Sequence, residues 1–134
     1  MKDARLTALN LYANNVLCNS QYGFRKGRGC EECILASVKA MEKMRVSSKL
    51  VAVISLDIKG AFDHLLWSHI LKELHRHNVP AYLLRMYQSY LSEKKVILGG
   101  SVKALERGCP QGSVVGPLLW NSGYNTVLEK LQKK

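Results

Sequence analysis

The stretch that most constrains this chain is Val51 to Asp63, VAVISLDIKGAFD. Its apolar, largely β-branched run ends in an aspartate, the pattern of a strand buried on both faces with a carboxylate at its C-terminal tip. Open sheets place chemistry at that end of their strands. Lys59-Gly60 then breaks the strand, and Ala61-Phe62-Asp63 brings an aromatic ring and a second carboxylate back toward the first. On a structural reading, Asp57 ends a strand and Asp63 bonds the local turn or caps the following helix. Carboxylates cluster at functional sites, yet structural ones are ordinary, so this stretch alone leaves both readings open.

Composition narrows the partners. At 134 residues and 47% hydrophobic content, the chain suits one domain with its own core. Lys and Arg number 20 against 10 Asp and Glu, and the pI of about 9.6 makes a polyanion the first partner to consider. No apolar run approaches the ~20 residues that span a bilayer, and MKDARLTAL is not a secretory signal, so an intracellular chain without a membrane partner is expected. Cys30-x-x-Cys33 has zinc-ligand spacing, but Cys18 and Cys109 are single and no histidine pair follows at finger spacing. No zinc is expected, and reduced thiols suit a reducing compartment.

Along the chain, Leu6, Leu9, Ala13, Val16 and Leu17 predict an amphipathic helix over residues 4–17. QYGFRKGRG follows as a loop with Arg25, Lys26 and Arg28 in four positions. Glu31 and Glu32 open a helix at its positive end. Ile34, Val38 and Met41 are its expected buried stripe, and Ser47-Ser48 its stop. A helix is expected from His64 to Asn78 with Leu66, Trp67, Ile70, Leu71 and Leu74 inward. No pair among His64, His69, His75 and His77 has the i, i+4 spacing of helical metal ligands, so these are read as solvent-exposed. Asn78-Val79-Pro80 stops and restarts the chain. Ala81 to Leu91 then predicts a helix with Leu84, Tyr87 and Leu91 in line, Tyr82 and Tyr90 being read as core with Tyr87. Gly99-Gly100-Ser101 predicts a hairpin between Lys94–Leu98 and Val102–Glu106. The last helix is expected from about Ser113 or Val114 onward, with Gly116-Pro117 in its first turn.

QYGFRKGR, LDIKGAFD and GCPQGSVVGP, in this order and at these intervals, resemble the reverse transcriptase domain of a non-LTR (LINE-type, R1-like) retrotransposon. The resemblance covers roughly residues 3 to 134, the front part of such a domain. It implies an α+β fold of the right-hand polymerase type, with helices packed on a small, incomplete β-sheet. Fingers would occupy roughly residues 1–49 and 65–111 and a partial palm roughly 50–64 and 112–134, with thumb and endonuclease absent. The implied activity is RNA-directed DNA synthesis, a nucleotidyl transfer using two Mg²⁺ or Mn²⁺ ions. RNA template, DNA primer and dNTPs would be its partners, together with the remainder of the polyprotein. The parent element would act in the nucleus after cytoplasmic synthesis.

By the same resemblance Asp57 is the first of three catalytic, metal-binding aspartates and the Ile58 carbonyl a further ligand, since Mg²⁺ prefers hard oxygens. Phe62 matches the steric gate, an aromatic side chain that rejects a ribonucleotide by clash with its 2′-hydroxyl. Arg25, with Lys26 and Arg28, would face the triphosphate or template, because guanidinium geometry suits phosphate oxygens. The family more usually carries Pro or Lys at position 26 and Ser-Thr near 29 and 30, so Cys30 departs from its pattern. Gln111 and Gly112 would contact dNTP and template, while Asp63, Gly108 and Pro110 are structural.

Aspartate falls only at positions 3, 57 and 63, so the family's aromatic-Ala-Asp-Asp element is not among these residues, and the isolated chain is expected not to polymerise. A second reading is a non-catalytic, basic RNA-binding module derived from a decayed element. A third is a helical scaffold protein whose cations are merely solvated.

Overall fold

The computed structural model describes residues 16–47, 50–92 and 94–133. The expected helix over residues 4–17 lies almost wholly outside them. The order is α1 (Cys30–Val46), α2 (Ala61–His64), α3 (Trp67–Arg76), α4 (Ala81–Ser92), β1 (Lys95–Leu98), β2 (Ser101–Ala104) and α5 (Gly116–Gln132). Helices and one two-stranded sheet make a mixed α and β chain.

The core is helical. Trp67, Ile70 and Leu74 line one face of α3, and Leu83, Tyr87 and Leu91 recur at i, i+4, i+8 on α4. Leu118 and Leu119 of α5, Cys109 and Val79 complete the cluster. The inward face of α4 thus starts from Leu83; Leu84 packs half-buried at its margin, Tyr90 lies at the surface and Tyr82 is 52% exposed, so of the three tyrosines only Tyr87 is core. Between α3 and α4 Asn78 adopts φ 55°, and the amide of Val79 reaches the Leu74 carbonyl at 3.1 Å while that of Asn78 reaches His75 at 3.0 Å. This is a Schellman stop, in which an asparagine tolerates the left-handed conformation and Pro80 follows.

The hairpin pairs Lys95 with Ala104 and Leu98 with Ser101 around Gly99-Gly100, whose φ values are 55° and 82°. Positive φ at both central residues is what a type I′ turn demands.

Several expectations are overturned. The segment 51–58 forms no strand: Val53, Ile54 and Leu56 are 72%, 82% and 83% exposed. A strand exists only where its amides and carbonyls find a ladder, and among the described residues no other segment pairs with this one. The helices therefore pack chiefly on each other, and the only sheet among the described residues is the hairpin. Helix α1 forms as expected, with Glu31 and Glu32 in its first turn and Lys43 and Arg45 in its last, but no residue of it is buried. Ile34 and Val38 face solvent and Met41 is only half-buried.

The helix expected from His64 is broken at Leu65-Leu66, both extended. Non-local bonds win there: the Trp67 amide donates to the Glu106 carbonyl at 3.1 Å, Gly108 donates to Leu65 at 2.9 Å, and Leu66 bridges Arg107. Leu66 consequently points outward, at 50% exposure. Nor are all four histidines solvated. His69 Nε2 bonds the Gly123 carbonyl at 3.0 Å, and half-buried His77 faces Glu73 at 3.7 Å.

Candidate functional site

Three separated stretches meet around Phe62. The first contact is main-chain: the Cys109 amide donates to the Phe62 carbonyl at 2.8 Å, and Trp67 Nε1 donates to the Gly108 carbonyl at 2.7 Å. Together with the Gly108–Leu65 bond, these fasten the glycine-rich loop to the end of the LDIKGAFD segment. Gly108 adopts φ +100°, and a Cβ there would lie 3.5 Å from the Asp63 carbonyl, so glycine suits the close approach. Cys109 is buried, which pushes its thiol up to about 11 and keeps it protonated. The loop then turns at Gln111-Gly112, both exposed, and Ser113 Oγ accepts the Gly116 amide at 2.8 Å where α5 begins.

The second contact is aromatic. Phe62 stacks on Trp120 of α5 with centroids 4.9 Å apart and planes 22° from parallel, and Trp120 stacks in turn on Tyr124 at 4.9 Å. Phe24, from the basic loop, meets Phe62 edge-on at 5.9 Å. Offset and edge-to-face geometries are those that aromatic quadrupoles favour.

The third fastening is polar and buried. Gln21 Nε2 donates to Asn121 Oδ1 at 2.7 Å, while Asn121 Nδ2 donates to the carbonyls of Gly23 and Phe24 at 3.2 and 3.1 Å. One turn on, Asn125 Oδ1 accepts the Cys18 amide at 2.6 Å and its Nδ2 reaches the Val16 carbonyl at 3.1 Å. Helix α5 therefore holds residues 16–24 through two asparagines, and sequence reasoning overlooked both. Their signal was an i, i+4 polar pair, Asn121 and Asn125, offset by one from the aromatic pair Trp120 and Tyr124.

The predicted site residues fare differently. Arg25 Nη1 donates to the Cys18 carbonyl at 2.9 Å and to the Gln21 carbonyl at 3.4 Å, folding its guanidinium onto its own loop. Arg28 bonds the carbonyl and Oδ1 of Asn19 and lies 5.8 Å over the Tyr22 ring. Lys26 is exposed. Asp63 closes the Gly60 turn through its amide at 3.0 Å, but its carboxylate caps no helix; α3 starts at Trp67, and its N-cap Leu66 offers no side-chain cap. Pro110 and Asp63 both border a cleft of about 750 Å³ beside the loop.

Asp57 and Ile58 lie on the unpaired segment just before that turn, with Asp57 exposed. Among the described residues no three His, Cys, Asp or Glu side chains converge as a metal site. One carboxylate and one carbonyl fall short of the six oxygens that octahedral Mg²⁺ takes, so the described residues do not by themselves fit the implied ions.

A model of the family described as "Reverse transcriptase (RNA-dependent DNA polymerase)" matches residues 2–134. The chain belongs to the reverse transcriptase family. It is 34% identical over 122 residues to a 115 kDa protein in the type-1 retrotransposable element R1DM of Drosophila melanogaster, covering 86% of this chain and 11% of that one. It is 33% identical over 115 residues to the retrovirus-related Pol polyprotein from the type-1 retrotransposable element R1 of Bradysia coprophila, covering 81% of this chain and 11% of the polyprotein. Against the RNA-directed DNA polymerase from mobile element jockey of D. melanogaster it is 35% identical over 107 residues, 75% of this chain and 12% of that one. The chain thus spans about a tenth of the length of the curated relatives it matches.

Away from the site, the chain carries a structural ion cluster. Arg76 bonds Glu73 at 2.8 Å and Glu129 at 3.0 Å, tying α3 to α5. Burial pushes the Glu73 carboxyl up, but the nearby Thr126 hydroxyl and Arg76 outweigh this and leave its pKa lowered. Among the described residues Thr126 Oγ1 has no partner at hydrogen-bond distance and angle, so it acts there as a neighbouring dipole. Burial and the Arg76 charge together lower His77, against the opposing pull of Glu73 and Glu129.

Proposed function

We propose that this chain is the portion of an RNA-directed DNA polymerase that presents the first metal-binding aspartate and the nucleotide-facing loop, copying retrotransposon RNA into DNA as part of a longer polypeptide. The observation that carries the reading is the fastening of the Gly108–Ser113 loop onto Phe62 and Leu65, with Phe24 of the basic loop against the same ring. Three stretches far apart in sequence share one aromatic hub.

In this reading Asp57 and the Ile58 carbonyl contribute to a divalent-ion site completed by carboxylates from outside these residues. Such a site would supply the Lewis acidity that lowers the primer hydroxyl's pKa and the positive charge that offsets the leaving pyrophosphate. Phe62, held by Trp120, faces the sugar and excludes the 2′-hydroxyl. Gln111 and the Gly112 backbone meet dNTP and template, and Lys26 and Arg28 meet phosphates from the fingers side, with Arg25 shaping that loop. Residues 50–64 and 112–134 belong to the palm and the remainder to the fingers. The working protein acts in the nucleus, where its DNA product is inserted.

The test is primer extension on an RNA template by the longer polypeptide containing these residues. Asp57→Asn should reduce extension by at least about a hundredfold, the scale of losing a preorganised charge at a reacting centre. Extension at wild-type rate by that variant, or by residues 1–134 alone, would overturn the reading. Binding without chemistry is the second reading, favoured by Asp57 belonging to no cluster of three metal-ligating side chains among the described residues. It predicts RNA affinity with no extension by the longer polypeptide.

A further inference from the structure

The four cysteines of this chain divide by exposure, and all are free thiols. Cys18 and Cys109 are buried, and Cys18 Sγ lies 3.5 Å from Ser20 Oγ. Cys30 is exposed and Cys33 half-buried, and among the described residues no hydrogen bond engages the sulfur of either. Their Cys-x-x-Cys spacing is the one sequence motif that neither the core nor the aromatic hub absorbs: α1, which carries both, buries no residue.

The pair occupies the first turn of α1. Cys30 is the first helical residue, and the Cys33 amide donates to the Gly29 carbonyl at 3.1 Å, the bond that opens the helix. Residues three apart on an α-helix hold their Cα atoms about 5 Å apart, inside the roughly 4.4–6.8 Å that a disulfide spans. Helical Cβ bonds tilt toward the N-terminus, so the Cys33 side chain leans back over Cys30. The two Cβ atoms, about 5–6 Å apart on a regular helix, have only about 1–2 Å to close. In mid-helix that movement would break backbone bonds. Here the amide of Cys30 has no intrahelical partner, and the Gly29 N-cap is extended with no side-chain cap, so little backbone structure opposes it.

We propose that Cys30 and Cys33 are a redox-active dithiol that closes to an intrachain disulfide by exchange with a low-molecular-weight disulfide. The proposal is independent of the polymerase reading. The Cys30 thiolate attacks one sulfur of the small disulfide, forming a mixed disulfide and releasing one small thiol. The Cys33 thiolate then attacks the Cys30 sulfur and expels the second small thiol. Two protein thiols are oxidised, one small disulfide is reduced, and the two protons lost by the cysteines end on the released thiols. Exposure assigns the order, because the reagent reaches Cys30 while Cys33 needs only to reach Cys30. In a reducing compartment the pair rests as thiols and closes when the small-disulfide fraction rises. Cys33 also lines a concavity of about 380 Å³ with Asn19, Tyr22 and Gln132, so closure draws its sulfur toward Cys30 and alters that surface at the root of the basic loop.

The experiment incubates the reduced chain with oxidised and reduced glutathione at a series of ratios, then quenches with acid. The chain is unfolded, free thiols are alkylated with N-ethylmaleimide, and the products are read by intact mass and peptide mapping. Wild type should lose two alkylatable thiols with no glutathione attached, the link mapping to Cys30 and Cys33 and reversing with dithiothreitol. Cys33→Ser should instead retain one glutathione on Cys30, and Cys30→Ser should react at least about tenfold more slowly, since access governs exchange. A lasting glutathione adduct on wild-type Cys30, a link to Cys18 or Cys109, chains joined through Cys30, or four free thiols at every ratio would each overturn the proposal. The wild-type map decides even where a variant does not fold.

Discussion

Asn125 has no exposed surface, yet every polar atom of its side chain is matched: its Oδ1 takes the Cys18 amide, and its Nδ2 serves the Val16 carbonyl and Glu129 Oε1. Buried amides are costly without partners, so the residue is specified by its bonds rather than by packing. Asn125→Ala strands a buried amide and a carbonyl, and should lower unfolding free energy by about 1–3 kcal/mol, read as a fall in urea midpoint at constant slope. A midpoint equal to wild type would mean that the bonds to residues 16 and 18 contribute nothing net. Protonation is a second residue-scale lever. His77 has a lowered folded pKa, so its contribution is complete above the unfolded value of about 6.5 and is lost as pH falls from there toward the folded value. Glu73 works in the same direction lower on the scale, complete above about 4.3 and lost as pH falls through its lowered folded value. The urea midpoint should therefore drop on acidification in two stages, and His77→Gln should shrink the upper one. A midpoint that rises as pH is lowered through the histidine range would contradict the assignment.

At the scale of elements, the decisive joint is the break at Leu65-Leu66, where the loop through Gly108 replaces a turn of helix. Gly108→Ala forces a side chain into φ +100° against Asp63, and should cost about 1–3 kcal/mol of stability. Ala substituted at Ser68, on the exposed side of α3, should be nearly silent in the same urea titration. Loss at both sites would point to helix content instead of the joint. The same joint marks where the sequence stops being readable. Helices α3 and α4, their Asn78-Val79-Pro80 stop and the Gly99-Gly100 hairpin were legible because each is written in neighbouring residues. The break was not, because Leu65 and Leu66 are good helix formers whose partners, Glu106 to Gly108, lie some forty residues on. The apolar stripe of α1 was legible as a period but not as burial, since periodicity names a face without naming what covers it. The motifs at 57–63 and 108–113 could be found in the sequence; that they touch through Phe62 and Cys109 could not. Asn121 and Asn125 were passed over because amides in a helix usually face water, and only burial turns them into ties.

For the whole molecule, the apolar surface and the charge pull in opposite directions. Leu50, Val53, Ile54 and Leu56 lie in the open, as do Ile34, Leu35 and Val46 of α1, and unpaired segments of this composition invite pairing with another chain. The formal net charge of +10 keeps copies apart, but only over a screening length of about 10 Å at 0.1 M salt and about 3 Å at 1 M. Raising salt should therefore remove the repulsion before it weakens apolar contact, and the chain should self-associate more strongly in concentrated salt, the reverse of nucleic-acid binding. Sedimentation velocity across a salt series reads this as a rise in average sedimentation coefficient with protein concentration. Ile54→Lys with Leu56→Lys should abolish the rise while leaving the urea midpoint within about 0.5 kcal/mol of wild type, because both side chains are more than four-fifths exposed. Wild type that stays monomeric at every salt concentration would show that the exposed segment is not adhesive. A double variant that unfolds would show instead that the fold depends on burying it, which would require the segment before Asp57 to be covered in the free chain.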